Sequence, residues 1–288
     1  MLIIIMVKIS DDFPKSVAIE FTNHCNIKCP FCYRDESRKI GFMTNELFLK
    51  IIEECKSLGV KELGLNFSGE STLHPDFGSM LDKIPNDFLF NINTNGILMT
   101  KEIITKLYRL KGGKLNFSIN YLPPLYKKIY NRDFSVLEEN IKHAVDLKKE
   151  GVNVTGSMIF DSLVCEKDVD EFKLFCNKHK IDSYIGIYIK DMEFKQWPNS
   201  FELIEQSKFK GCVKPYQQVS VSFDGKLIIC CSDLNAKVCF GDLSKNTMFE
   251  VWNSDEYKNC RKNTLDGVFK SDSLCSKCNL YKYYLKDD

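Results

Sequence analysis

The chain has 288 residues of which 44% are hydrophobic, enough for a sizeable core in one large domain or two unequal ones at roughly 150 residues per domain. This composition excludes intrinsic disorder, and 40 basic against 39 acidic residues leave a formal charge of +1, so no overall cationic field favours nucleic acid or a membrane surface. Thirteen cysteines in a chain of this length, with no signal peptide before them, exclude a disulfide scaffold and indicate reduced thiols used for metal or catalysis in the cytoplasm.

Taken in chain order, the run Leu2 to Val7 is too short to cross a bilayer, has no small-residue cleavage site after it, and is expected to form a buried strand. From residue 16 to about 190, apolar runs of strand length alternate with helical patterns, the mark of repeated β/α units around a parallel sheet. The expected strands are Val17 to Phe21, Glu62 to Phe67, Phe88 to Ile92, Leu115 to Ile119, Val152 to Phe160 and Ser183 to Ile189. The first helix opens with Thr44 as N-cap and Glu46 in its first turn. It carries Leu47, Ile51, Ile52, Cys55 and Leu58 on one stripe and stops at Gly59. A later helix is expected to begin at a capping box, Ser135 with Glu138, to turn Val136, Leu137, Ile141 and Val145 inward, and to end at Gly151. Six units are fewer than the eight of a closed barrel. The fold class is therefore α/β, a partial (βα)6 TIM-like barrel with its site at the C-terminal strand ends, and a doubly wound sheet is the competing topology.

Asp191 to Gly211, with Trp197-Pro198 and mixed charge, reads as a linker or one irregular helix. Beyond it, Val219 to Phe223 and Lys226 to Cys230 flank Asp224-Gly225, a two-residue hairpin signal, and short helices follow around Met248 to Trp252 and Asp255 to Arg261. The domains are thus a barrel over 1–190, a linker over 191–211 and a small β-hairpin/helix domain over 212–288.

Cys25, Cys29 and Cys32 follow the first strand on one loop, which places three thiolates at the mouth of the barrel. Three thiolates can hold three irons of a 4Fe-4S cluster and leave the fourth iron open. A zinc loop would need a fourth ligand, and His24 is badly spaced for it. With Phe31 before the last cysteine, the C-x3-C-x2-C segment resembles the signature of the radical S-adenosylmethionine (SAM) enzymes. Ser68-Gly69-Glu70 after the second strand is similar to the family's Gly-Gly-Glu motif, with Ser68 in place of the first glycine. Asn93-Thr94-Asn95-Gly96 and Phe117-Ser118-Ile119-Asn120 resemble its Thr-Asn-Gly and Ser-Ile-Asp-Gly elements. The resemblance implies that Ser68, Gly69 and Glu70 line the methionine end of SAM, that Phe31 lies near the adenine, and that Asn93, Asn95, Ser118 and Asn120 border the cofactor. His24 and His74 are expected as hydrogen-bonding spacers.

Cys212, Cys230, Cys275 and Cys278 in the second domain resemble the auxiliary-cluster modules called SPASM and twitch. Four matching cysteines favour the one-cluster twitch form, a second 4Fe-4S cluster closed by protein ligands, and a zinc ribbon on Cys275 and Cys278 is the alternative. Strand alternation would point Cys231 away from Cys230. Cys55 and Cys176 sit on apolar helical faces as core residues, and Cys165, Cys239 and Cys260 have no assigned part.

The resemblance implies two 4Fe-4S clusters and SAM as cofactors, a reductant such as flavodoxin or ferredoxin, and a 5'-deoxyadenosyl radical that abstracts a hydrogen atom from a substrate C–H bond. If the auxiliary cluster takes the second electron, the net change is a two-electron oxidation, as of an alcohol to a ketone in an aminocyclitol dehydrogenase. A small polar substrate is then expected, since only about 15 residues precede the first barrel strand. A short peptide undergoing crosslinking or epimerisation is the alternative, and a non-catalytic iron-sulfur or zinc protein is a third. Lys190 or Lys195, after the sixth strand, is the expected proton acceptor, with Tyr188 next in line.

Overall fold

The computed structural model describes residues 12–34, 38–187, 211–271 and 273–278. The expected strand at Leu2 to Val7 and most of the linker lie outside the described residues. Six strands, β1 (Ser16–Ile19), β2 (Glu62–Gly64), β3 (Leu89–Thr94), β4 (Gly112–Ser118), β5 (Val152–Phe160) and β6 (Asp182–Ile187), run parallel in sequential order. Sequential order is the order of a barrel wall. A doubly wound sheet would reverse direction about an inner strand, and here it does not.

Helices α1 (Asn45–Ser57), α2 (Phe77–Asp82), α3 (Lys101–Tyr108), α4 (Leu125–Tyr130), α5 (Phe134–Asp146) and α6 (Glu166–Lys178) connect the strands. Thr44 caps α1 by accepting from the Leu47 amide, and Gly59 follows with a φ of +67°. Phe48, Ile51, Ile52 and Cys55 form its buried stripe, so Phe48 joins the expected set while Leu47 and Leu58 pack at its edge. The capping expectation for α5 is corrected: Asp133, not Ser135, is the N-cap, and its carboxylate accepts from the Ser135 amide. That helix closes at Leu147, four residues before Gly151. Cys55 and Cys176 are fully buried in the core, as expected.

The sheet continues beyond β1. After α7 (Lys214–Gln217), β7 (Gln218–Val221) pairs parallel with β1, and β8 (Lys226–Ile228) and β9 (Cys239–Asp242) follow antiparallel, giving nine strands in the order β6-β5-β4-β3-β2-β1-β7-β8-β9. Ser220 pairs with Ile228 and Val221 with Leu227, so the connection is a three-residue loop, Phe223-Asp224-Gly225, rather than the expected two-residue turn. Only Gly225, at φ +82°, is left-handed there, as in a type I turn closed by a G1 bulge. Because β8 ends at Ile228, Cys230 and Cys231 lie past the strand, and strand alternation does not decide where they point.

α8 (Met248–Asn253) and α9 (Asp255–Leu265) then cover the hairpin, and α10 (Leu274–Lys277) carries Cys275. Arg261 is buried with its guanidinium 3.5 Å from the Trp252 ring centroid and donates to the Trp252 carbonyl at 2.8 Å. Phe240 stacks on Tyr257 at 4.4 Å, and Phe13 meets Trp252 edge-on at 5.5 Å. Lys50 of α1 donates to the carbonyls of Leu243 and Asn246. Among the described residues no helix is long and apolar enough to cross a membrane.

Candidate functional site

The cysteine loop is shaped by its own polar side chains. Thr22 Oγ1 donates to the Gly41 carbonyl at 2.7 Å, and Asn23 bridges to Lys39 and Gly41 in both directions at 3.0 Å. Arg34 donates to the Asn23 carbonyl, and a turn closes from the Cys32 amide to the Cys29 carbonyl at 3.0 Å. Cys25, Cys29 and Cys32 are thereby brought close enough to act on one another electrostatically. Burial pushes the Cys29 thiol up to about 12, held back by the Tyr130 hydroxyl and raised further by its two sister thiols; burial also raises Cys25. Three soft sulfur donors on one loop, two of them buried enough to resist ionisation, suit a cationic centre that would hold them as thiolates. The residues present therefore fit an iron-sulfur cluster with one open iron.

The Ser68-Gly69-Glu70 segment lies directly on this loop. The Glu70 amide donates to the His24 carbonyl at 2.8 Å, and a Cβ built on Gly69 would stand 2.3 Å from the Thr22 carbonyl oxygen and 2.5 Å from that of His24. Glycine is required there by close approach. Ser68 is not among the left-handed residues, so its side chain is accommodated without strain. The Glu70 carboxylate is fully committed: it accepts from the Thr72 amide and hydroxyl, the Thr94 hydroxyl at 2.8 Å and the Asn95 amide at 2.7 Å. Burial raises its pKa against these donors. Asn95 in turn donates to Asn26 Oδ1 at 2.7 Å, so the carboxylate staples the loops after β2 and β3 to the cysteine loop. The carboxylate is thus occupied within the protein, and what the segment has left to offer a ligand is its backbone.

The other expected cofactor neighbours are distributed unevenly. Phe31 is half-buried against the core. Asn93 is exposed, with its amide on Asn66. Ser118 ends β4, and Asn120, at φ +56°, accepts from the Ile159 amide at 3.2 Å. An asparagine tolerates that left-handed backbone as well as the family's aspartate does. His74 is a spacer, as expected, between the Met43 carbonyl and the Asp76 amide. Lys190, Lys195 and Tyr188 lie outside the described residues.

Sequence reasoning missed several groups. Glu20, fully buried at the end of β1, accepts both Arg38 guanidinium nitrogens at 2.8 Å, the Phe223 amide at 3.0 Å and the Ser68 hydroxyl. One carboxylate thus joins the SAM-motif serine, the chain beyond the cysteine loop and the hairpin turn. Tyr121, just past β4, donates to Asp161, just past β5, with both side chains buried at strand ends. Tyr130 donates to Cys29 Sγ at 3.3 Å, and Arg132 reaches the Asn26 carbonyl at 3.4 Å. The only local signal for Tyr121 and Asp161 is their place at C-terminal strand ends.

Cys212, Cys230, Cys275 and Cys278 form the second group. Cys212 is held by its amide on the Thr264 carbonyl at 2.7 Å, and a turn runs from the Cys278 amide to the Cys275 carbonyl at 3.2 Å. Burial raises Cys212, Cys230 and Cys275, the last two to about 12, and each also feels its fellow cysteines. Soft donors of this kind would suit a second iron-sulfur cluster. Cys260 is a further neighbour of Cys275 that the spacing did not reveal. Tyr33, the residue after Cys32, donates to the Ser232 carbonyl at 3.3 Å and senses Cys230, Cys231 and Cys278.

A barrel of six parallel strands with three thiols on its first loop, followed by a small cysteine-bearing domain of hairpin and short helices, defines a radical SAM enzyme with an auxiliary-cluster domain. The chain belongs to the radical SAM superfamily, which residues 19–173 match, and residues 212–279 match the SPASM iron-sulfur cluster-binding domain. Its cofactors are accordingly SAM and 4Fe-4S clusters. It is 23% identical, over 92% of its length and 87% of the relative's, to the "Tungsten-containing aldehyde ferredoxin oxidoreductase cofactor-modifying protein" of Pyrococcus furiosus. Among solved structures it is similar to Streptococcus suis SuiB bound to its precursor peptide SuiA (TM-score 0.68, 18% identity, 94% of this chain and 71% of that one). It is also similar to BtrN in complex with AdoMet and 2-DOIA (TM-score 0.55, 16% identity, 94% of each chain).

Proposed function

We propose that this enzyme catalyses a two-electron oxidation of a small polar substrate, such as an alcohol to a ketone on a sugar or aminocyclitol, with the auxiliary cluster accepting the second electron. When bound, SAM and the open cluster supply a 5'-deoxyadenosyl radical that takes one hydrogen atom from the substrate. The observation that carries the reading is the mutual electrostatic influence among Cys212, Cys230, Cys275 and Cys278, with Tyr33 of the first loop reaching the Ser232 carbonyl beside them. Four protein thiols leave no open iron for a second SAM, so electron transfer is the role that suits them. The relative named for cofactor modification and the full-length likeness to BtrN support a small-molecule substrate.

The chain's own residues would act as follows. The backbone of Ser68 to Glu70 and the side chains of Asn95 and Asn120 orient SAM, and Phe31 flanks the adenine. Lys190 or Lys195, or failing them Tyr188, takes the substrate proton, and methionine at the correct lysine should lower product formation at least tenfold while SAM binding is preserved. The enzyme would work in the cytoplasm with a flavodoxin or ferredoxin as reductant. Alanine at Cys275 and Cys278 should leave SAM cleavage measurable but abolish oxidised product, and full product turnover without that cluster would sink the reading.

A second reading is peptide modification, by crosslinking or epimerisation, and it is favoured by the likeness to peptide-bound SuiB. Deuterium from solvent appearing in the product would select epimerisation over dehydrogenation.

A further inference from the structure

Tyr130 is the last residue of α4, 101 positions from Cys29, yet its hydroxyl donates to Cys29 Sγ at 3.3 Å. Several contacts hold it there. Its ring lies 5.0 Å from that of Tyr126 and 5.6 Å from that of Tyr121, and it is 7% exposed. Asn131 then leaves the helix in the left-handed conformation, which ends α4 at this tyrosine. The phenol is thus fixed by packing between two neighbouring tyrosine rings, with its hydroxyl directed at a sulfur.

Hydrogen bonds to the sulfurs of a cluster favour its more electron-rich state, and donors around the ligands orient them. We propose that Tyr130 is a positioning residue for the SAM-binding cluster: its hydroxyl holds Cys29 in place and raises the reduction potential of that cluster, which eases its reduction. The inference rests on Cys29 being a ligand, and the iron content of a Cys25, Cys29, Cys32 triple alanine variant tests that point by itself.

The auxiliary cluster provides an internal reference, since the sulfur that the Tyr130 hydroxyl meets is that of Cys29, on the first loop. The experiment is an EPR-monitored redox titration of the reconstituted enzyme without SAM, comparing wild type with Tyr130→Phe, which keeps the ring and removes only the O–H. The SAM-binding signal is identified by its change when SAM is added. The variant should keep full iron while the potential of that cluster moves to a more negative value and the auxiliary potential stays in place. A fluorinated tyrosine at position 130, a stronger donor on the same ring, should move it in the opposite direction. An unchanged potential in both variants at full iron, or an equal shift of both clusters, would overturn the assignment.

Discussion

Glu20 offers the sharpest test of how the barrel and the hairpin are held together. Arg38→Met removes the guanidinium, which is 15% exposed, and keeps much of its apolar stem, so the fully buried carboxylate keeps only the Phe223 amide and the Ser68 hydroxyl. Breaking a buried pair from one side costs about 3 to 5 kcal/mol. Partial water access to Arg38 argues for about 3 here. At about 2 to 4 °C per kcal/mol for a chain of this size, the melting temperature should fall by about 6 to 12 °C. Glu20→Leu should also be destabilising, since it leaves the guanidinium only Asp224 at 3.8 Å and the Leu234 carbonyl at 3.5 Å. The double variant removes both charges, and its cost should fall short of the sum of the singles by about 2 kcal/mol. Urea unfolding of the reduced, cluster-free chain measures all four corners of the cycle. Additivity to within about 0.5 kcal/mol would refute the claim that these two groups act as one buried unit.

Three further outcomes are expected. Gly69→Ala must displace the Thr22 or His24 carbonyl, so SAM affinity measured by equilibrium dialysis should fall at least tenfold even where iron content is retained. Triple alanine at Cys25, Cys29 and Cys32 should retain about half the iron and lose SAM cleavage entirely, and any 5'-deoxyadenosine it still made would remove the assignment. The Asp133 carboxyl is held below its usual range by the Ser135 amide and hydroxyl, so its contribution to α5 is present above the unfolded value of about 3.9 and is lost as pH falls through the depressed native one. Wild type and Asp133→Ala should therefore differ in stability at neutral pH and converge in acid.

What was legible in the sequence was short-range. The cysteine spacing, the Thr44 cap and the alternation of strand and helix are all decided within a few residues, and each recurs in the structure. Where two local signals competed, the backbone decided: Asp133, at φ −80° and ψ 126°, leaves the helix first, so Ser135 two residues later is already inside it. The hairpin loop gained a residue where Glu20, 203 positions away, takes the Phe223 amide. Glu20 carries no local signal, because its partners are 18, 48 and 203 residues distant. Cys260 and Tyr130 were hidden for the same reason, since no spacing rule reaches across separate elements.

The pairing of β7 with β1 bears directly on how the two cysteine groups can cooperate. Were the hairpin tethered only by the segment between β6 and α7, the separation of the two groups would follow that segment's conformation. Instead β1 is hydrogen-bonded to β2 on one edge and β7 on the other; the Cys32 loop leaves β1, and the Cys230 loop leaves β8, which pairs with β7. Tyr33 donates to the Ser232 carbonyl, Asn235 donates back to the Tyr33 carbonyl at 3.4 Å, and Arg38 lies over the Phe223 ring at 5.0 Å. An electron acceptor benefits from such fixed placement, because the path length does not vary from one turnover to the next. Removing residues 211–288 would also bare the β1 edge and take the Phe223 amide from Glu20, which bonds Ser68 in the SAM motif. Loss of SAM cleavage in a truncated chain would then report damage to the first site rather than a need for the second cluster. Paired substitution at Cys275 and Cys278 leaves β7, β1 and Glu20 untouched, and so separates the two causes.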